Sequence, residues 1–163
     1  MEKEMIITAA DSLLCANRGR LKASQEARLE ELIVVAREAE EDEPLPLELV
    51  RLYKVLLLRV RDHGPEVCVF TLGGQPMWIA PYDRANLRNA ADAKAEAGIS
   101  YVDFLGQHLP TAMAQDALRQ VERYAADCTT VTDEHEAAIL ALDNADAVLA
   151  YDFTTGYPEK LAF

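Results

Sequence analysis

Near residue 66 the hydrophobic period of this chain changes from that of a helix to that of a strand, and few folds accommodate both within 163 residues. Upstream, Leu29, Leu32, Ile33 and Ala36 recur at the spacing that stacks side chains on one helical face. Leu49, Leu52, Tyr53, Leu56, Leu57 and Val60 repeat that pattern in a wider stripe. Downstream, Glu66-Val67-Cys68-Val69-Phe70-Thr71-Leu72 and Gln75-Pro76-Met77-Trp78-Ile79-Ala80 flank Gly73-Gly74, which reads as a hairpin with a two-residue turn. Pairing Leu72 with Gln75 sets Phe70 against Met77, Val69 against Trp78 and Cys68 against Ile79. Both faces then carry bulky apolar groups. One must meet helices, and the other needs cover from the C-terminal tail or a partner. Pro76 cannot donate a ladder hydrogen bond, so its strand belongs at an edge or a bulge.

The first 64 residues read as helices. Thr8 can cap a short one that stops at Asn17-Arg18-Gly19, and Ser24 can cap the next. Glu38 to Glu43 is a solvated helix end that breaks at Pro44 and Pro46. The helix from Leu47 to His63 stops at Gly64-Pro65, with His63 placed to meet the helix dipole. Two amphipathic helices joined by a Pro-containing turn form a hairpin, yet the stripe through Leu49 and Leu56 is wider than the first helix can cover. Those leucines are therefore candidate contacts, either with the following domain or with a second copy of the chain.

After the hairpin, Pro81-Tyr82-Asp83 opens a helix with Asp83 as cap and Gly98 as stop. Residues 99–109 are compatible with a very short hairpin or a turn of helix, and short extended pieces around Gly106 are favoured. Pro110-Thr111 begins a helix that runs to Cys128, Thr132 caps another, and Ala145 to Ala150 supplies one more turn. The last thirteen residues hold four aromatics, a Gly and a Pro, a composition suited to docking rather than fraying. Asp152 ahead of Thr154-Thr155-Gly156 suits an Asx turn, and Pro158 stiffens the exit.

The formal charge is −12, and it is uneven: 10 Lys and Arg face 13 Asp and Glu through Pro65, leaving 6 against 15 in the rest. Such a surface repels phosphates, which argues against direct nucleic-acid binding and against anionic membranes. No apolar run approaches spanning length. Cys15, Cys68 and Cys128 are three and widely spaced, which favours reduced thiols over a disulfide framework or a zinc ribbon. Met1-Glu2-Lys3-Glu4 lacks the positive region of a signal peptide, so a cytoplasmic protein is expected.

Chemistry finds little purchase. Cys128 and His135, oriented by Asp127 or Glu134, would be a nucleophile and base, but the expected helix boundary parts them and no Gly-rich oxyanion loop accompanies them. His108, His135, Glu134 and Cys128 lack the spacing of metal ligands. No catalytic, cofactor or metal residue is assigned. Trp78, Tyr82, Tyr124 and Tyr157 are the aromatic candidates for core or interface. Trp78 and Tyr124 are weighted toward core, whereas Tyr151 and Tyr157 lie in a tail that must find its own dock.

Pro76-Met77-Trp78, Tyr124-Ala125-x-x-Cys128, Val131-Thr132-x-x-His135, Ile139, Tyr151-Asp152 and Gly156-Tyr157-Pro158-x-Lys160-Leu161 together resemble a phage and prophage domain of unknown function encoded near or within tail-fibre genes. The resemblance covers about residues 67–163 and does not extend to the N-terminal helices. It implies a tail-region setting in a host cell or a virion, and it implies no chemistry. The expectation is thus an α+β protein, with an N-terminal helical module over 1–64 and a compact domain over 66–163 sealed by its tail. Its function is expected to be that of a non-enzymatic structural or assembly protein. The contacts are Trp78, Tyr151, Asp152, Tyr157, Pro158, Leu49 and Leu56, and the partner is a phage tail component or the chain itself. The alternative is an acidic inhibitor of a host nuclease or defence complex. It would present Asp127, Asp133, Glu134, Glu136, Asp143 and Asp146 in place of DNA phosphates.

Overall fold

A computed structural model describes residues 2–62 and 69–163. The protein is α+β, and among the described residues it has six helices and two separate two-stranded antiparallel sheets. In chain order these are α1 (Lys3–Ala16), α2 (Ala23–Glu38), α3 (Leu47–Asp62), β1 (Phe70–Leu72), β2 (Gln75–Met77), α4 (Pro81–Glu96), β3 (Tyr101–Phe104), β4 (Gln107–Pro110), α5 (Thr111–Ala141) and α6 (Ala145–Ala150). They form two compact units. The first takes Met1–Val67 with Thr130–Gly156, and the second takes Cys68–Thr129 with Tyr157–Phe163. The boundary expected at residues 64–66 is therefore one of three crossings, because a later segment returns to complete the helical module.

In the first unit, α1 buries Ile6, Ile7, Ala10 and Leu14, and α2 buries Leu29, Leu32, Ile33 and Ala36. Thr8 lies inside α1 rather than at its cap, and Lys22 rather than Ser24 occupies the cap of α2. The α3 stripe is as wide as its sequence implies, with Leu49, Val50, Val55, Leu56 and Leu58 all fully buried. Each such side chain contributes about 1.5–3 kcal/mol relative to exposure. The cover comes from the chain itself: α3 packs against α1, α2 and α6, and Ile139 and Val148 join the same core. Polar bonds fix the returning segment. Arg51 Nε donates to the Leu142 carbonyl at 2.7 Å, and Lys54 Nζ donates to the Leu149 carbonyl at 2.8 Å, satisfying carbonyls near the ends of α5 and α6. The reading of His63, Gly64 and Pro65 lies outside the described residues.

The second unit is built on two hairpins. In the first, Phe70 faces Met77 and Leu72 faces Gln75, the expected register, while the Cys68 pairing lies outside the described residues. Gly73 and Gly74 both take positive φ (56° and 80°), as a two-residue turn between right-twisted strands requires. Pro81 rather than Asp83 fixes the start of α4, with Ala80 at the cap and Asp83 in the first turn, where its charge meets the helix dipole. Residues 101–110, where short extended pieces were favoured over a very short hairpin, form a regular second hairpin that turns on Leu105 and Gly106. The core gathers Phe70, Leu72, Ile79, Val102, Phe104, Leu118 and Val121.

Helix α5 is single, where two helices separated after Cys128 were expected. No Gly or Pro interrupts 111–141. The residue chosen as a cap, Thr132, is buried inside the helix and donates its hydroxyl to Asp62 Oδ1 at 3.1 Å. Thr129 donates back to the Ala125 carbonyl at 3.0 Å. The Thr132 hydroxyl is taken up by Asp62 and the Thr129 hydroxyl by a carbonyl one turn back in the same helix, so neither caps a helix start. By contrast Asn144 does cap α6, accepting from Ala147 N at 2.8 Å.

Candidate functional site

The second unit carries an apolar groove of about 590 Å³. One wall is a face of α4, since Asp83, Asn86, Leu87 and Ala90 follow the helical spacing that the strand-forming sequence before them lacks. The rest of the lining is the run Trp78-Ile79-Ala80 that leads off β2 and Leu105 from the tip of the second hairpin. Trp78 is 43 % exposed, and Tyr82 at the start of α4 is 76 % exposed. Leu105 has φ 52°, alone among the described non-glycine residues in taking a positive value. For an L side chain that conformation costs about 1–2 kcal/mol. The position thus holds a large apolar residue where Asn or Gly would form the turn with less strain. The groove's polar groups are the Asp83 carboxylate and the Asn86 amide. Among the described residues that line it no nucleophile faces a base, and the arrangement suits capture of an apolar side chain with a polar rim.

Of the residues singled out from sequence, Trp78, weighted toward core, is instead exposed on this groove, because the run after β2 leaves its ring outside the unit's core. Leu49 and Leu56 have no exposed surface, so the contact expected of them is met inside the first unit's own core. Tyr151 and Asp152 belong to the first unit and shape the approach to the tail. Asp152 Oδ1 accepts from the Thr154 N–H at 2.9 Å, the expected Asx turn. The hydroxyl and N–H of Thr154 hold the Asp152 carboxyl below the ordinary aspartate range. Tyr157 and Pro158 are half-buried and lead into a short parallel pairing of Ala162 with Thr71. The tail therefore joins the edge of the first hairpin instead of lying over its open face. Tyr124 is core, as weighted, and its hydroxyl reaches the Val69 carbonyl at 3.4 Å.

His135 is a positioning residue that sequence spacing did not reveal. It is buried in α5, its Nε2 lies 2.8 Å from the Thr155 carbonyl and its Nδ1 lies 2.7 Å from the Tyr151 hydroxyl. A carbonyl only accepts, so Nε2 carries the proton and, in the neutral ring, Nδ1 accepts from Tyr151. Cys128 sits two turns earlier on the same helix, about 10 Å along its axis. The two residues are not a nucleophile and its base. His108 stacks on Tyr101 in the second hairpin, with ring centroids 5.1 Å apart. Among the described residues no three His, Cys, Asp or Glu side chains gather as metal ligands would.

Among the described residues three of the six carboxylates proposed as phosphate stand-ins are engaged, and Asp143 accepts from the Asn144 side-chain amide at 3.3 Å. Asp133 accepts from Arg59 at 2.9 Å, and Glu136 is buried and bonded to both Arg59 and Gln25. Among the described residues no helix is long and apolar enough to cross a membrane.

The residues missed from sequence are Leu105, Leu87 and Ile79. The signal for Leu105 was a Leu-Gly pair between two four-residue runs, the same pattern as Gly73-Gly74 one hairpin earlier. Comparison with protein-family models, with curated proteins and with solved structures finds no match to this chain.

Proposed function

We propose that this chain is a non-enzymatic phage or prophage tail-region protein, a structural or assembly component that acts by protein–protein contact through the groove between Trp78 and Leu105. The observation that carries the binding mode is Leu105: a leucine in left-handed backbone lines the same groove as an exposed tryptophan. Aromatic side chains in partly formed pockets dominate interface energies. The tail-region setting rests on the resemblance carried by the Tyr124 to Leu161 motifs. The protein would be made in the host cytoplasm and either retained in the particle or released after assembly.

Quantitative mass spectrometry of purified particles, set against the infected-cell lysate, tests this. Fixed stoichiometry in particles, or in tail intermediates, is the expected result. A chain found only in lysate, bound to a host nuclease and released by added salt, would instead identify the acidic inhibitor.

A further inference from the structure

The groove between Trp78 and Leu105 carries a charge that the chain itself does not balance. Its lining is apolar except on the α4 side, where Asp83 and Asn86 stand three residues apart and so share one face of the helix. Among the described residues neither side chain makes a hydrogen bond or an ion pair. The adjacent cation is committed elsewhere: Arg84 donates through Nε to Glu122 Oε1 at 2.8 Å and through Nη1 to the Ile79 carbonyl at 2.9 Å. The first turn of α4 favours the Asp83 carboxylate, but a helix end supplies only about half a charge. Asp83 is exposed, so its carboxylate is hydrated in the chain by itself. An occupant that covered the groove with apolar surface alone would strip that water and leave the carboxylate without a partner, a cost that a cation removes.

We infer that the groove takes an arginine side chain from the partner protein, which deepens the proposed function and rests on the groove being its working surface. The methylenes of the arginine stem lie along the apolar lining of Ile79, Leu87 and Leu105. The guanidinium reaches the α4 side, where the Asp83 carboxylate and the Asn86 side-chain carbonyl accept from its fork of N–H groups. Trp78 supplies the third contact, because a planar guanidinium stacks on an indole, whereas the ammonium of lysine is a more strongly hydrated point charge. An aliphatic or aromatic anchor would fill the apolar part and bury Asp83 unpaired. An acidic side chain would meet it as a like charge. The formal charge of −12 acts in the same direction, drawing a cationic segment toward the chain and repelling an anionic one. One ion pair in an apolar groove is screened only in part, so added salt weakens this contact without abolishing it.

Trp78, the sole tryptophan, reads the groove directly in the unsubstituted full chain, with n-butylguanidinium as the probe and n-butylurea, its neutral isostere, as the comparison. Butylguanidinium is expected to shift the emission saturably, and butylurea to bind at least about fivefold more weakly. A similar loss is expected for butylguanidinium on Asp83→Asn, with butylurea indifferent to that substitution. Equal affinity of the two probes for the unsubstituted chain would overturn the arginine assignment and leave the groove standing as an apolar site. A response to neither probe would overturn the assignment and the groove reading together. A butylguanidinium response that is the same in Asp83→Asn would place the cation away from this carboxylate and overturn the proposal equally.

Discussion

His135 shows how little a residue type says before its neighbours are known. In sequence it resembled a base seven residues after a cysteine. In the structure it joins α5 to Tyr151 and to the Thr155 carbonyl, and it sets the path of the chain into its tail. His135→Ala removes two part-buried hydrogen bonds, to the Tyr151 hydroxyl and the Thr155 carbonyl, and urea unfolding is expected to show a loss of about 1–3 kcal/mol. Asp152, a few residues on, was legible, because an aspartate two residues ahead of a Thr N–H forms its turn from local chain geometry alone. Its carboxyl is held below the ordinary aspartate value of 3.8. The stability it contributes is therefore complete above that value and is lost as pH falls through its lower folded value. Comparing urea midpoints of the parent and Asp152→Asn at pH 5 and pH 3 should show a difference that shrinks at the lower pH. Leu105 was illegible for a different reason: strain appears only once φ is fixed.

Elements with strong periodicity were readable, and their joins were not. The α2 and α3 stripes, the first hairpin's register and the start of α4 near Pro81 follow from local pattern and turn chemistry. The break expected after Cys128 failed, because Thr129, Thr130 and Thr132 look like turn and cap residues when the acceptors for their side chains are unknown. Asp62, which receives the Thr132 hydroxyl, is distant in sequence. A proline separates the two readings. Thr130→Pro would be tolerated between two helices, whereas inside a continuous α5 it costs about 3 kcal/mol or more. Thermal unfolding of that variant is expected to show the large loss, together with reduced helical ellipticity.

The chain as a whole was read correctly as α+β and wrongly as two consecutive domains. Chain order suggested a helical module followed by a compact domain, but burial of the α3 stripe requires Ile139 and Val148 from the C-terminal part. Hydrophobic surplus was visible in the sequence, and the identity of its cover was not, since any apolar segment can serve. The net charge of −12 sets a second whole-molecule expectation: if carboxylates carried the binding, added salt would release the partner, whereas apolar docking persists. Trp78 is the sole tryptophan and lies on the groove, so its emission reports groove occupancy without a label. The deciding measurement is tryptophan fluorescence of the purified chain titrated with isolated tail particles from the encoding phage, in low and high salt. A saturable blue shift at both salt concentrations, weakened in Leu105→Asn, is the predicted result. Binding that leaves Trp78 emission unchanged, or that disappears as salt is raised, would contradict the groove as the working surface.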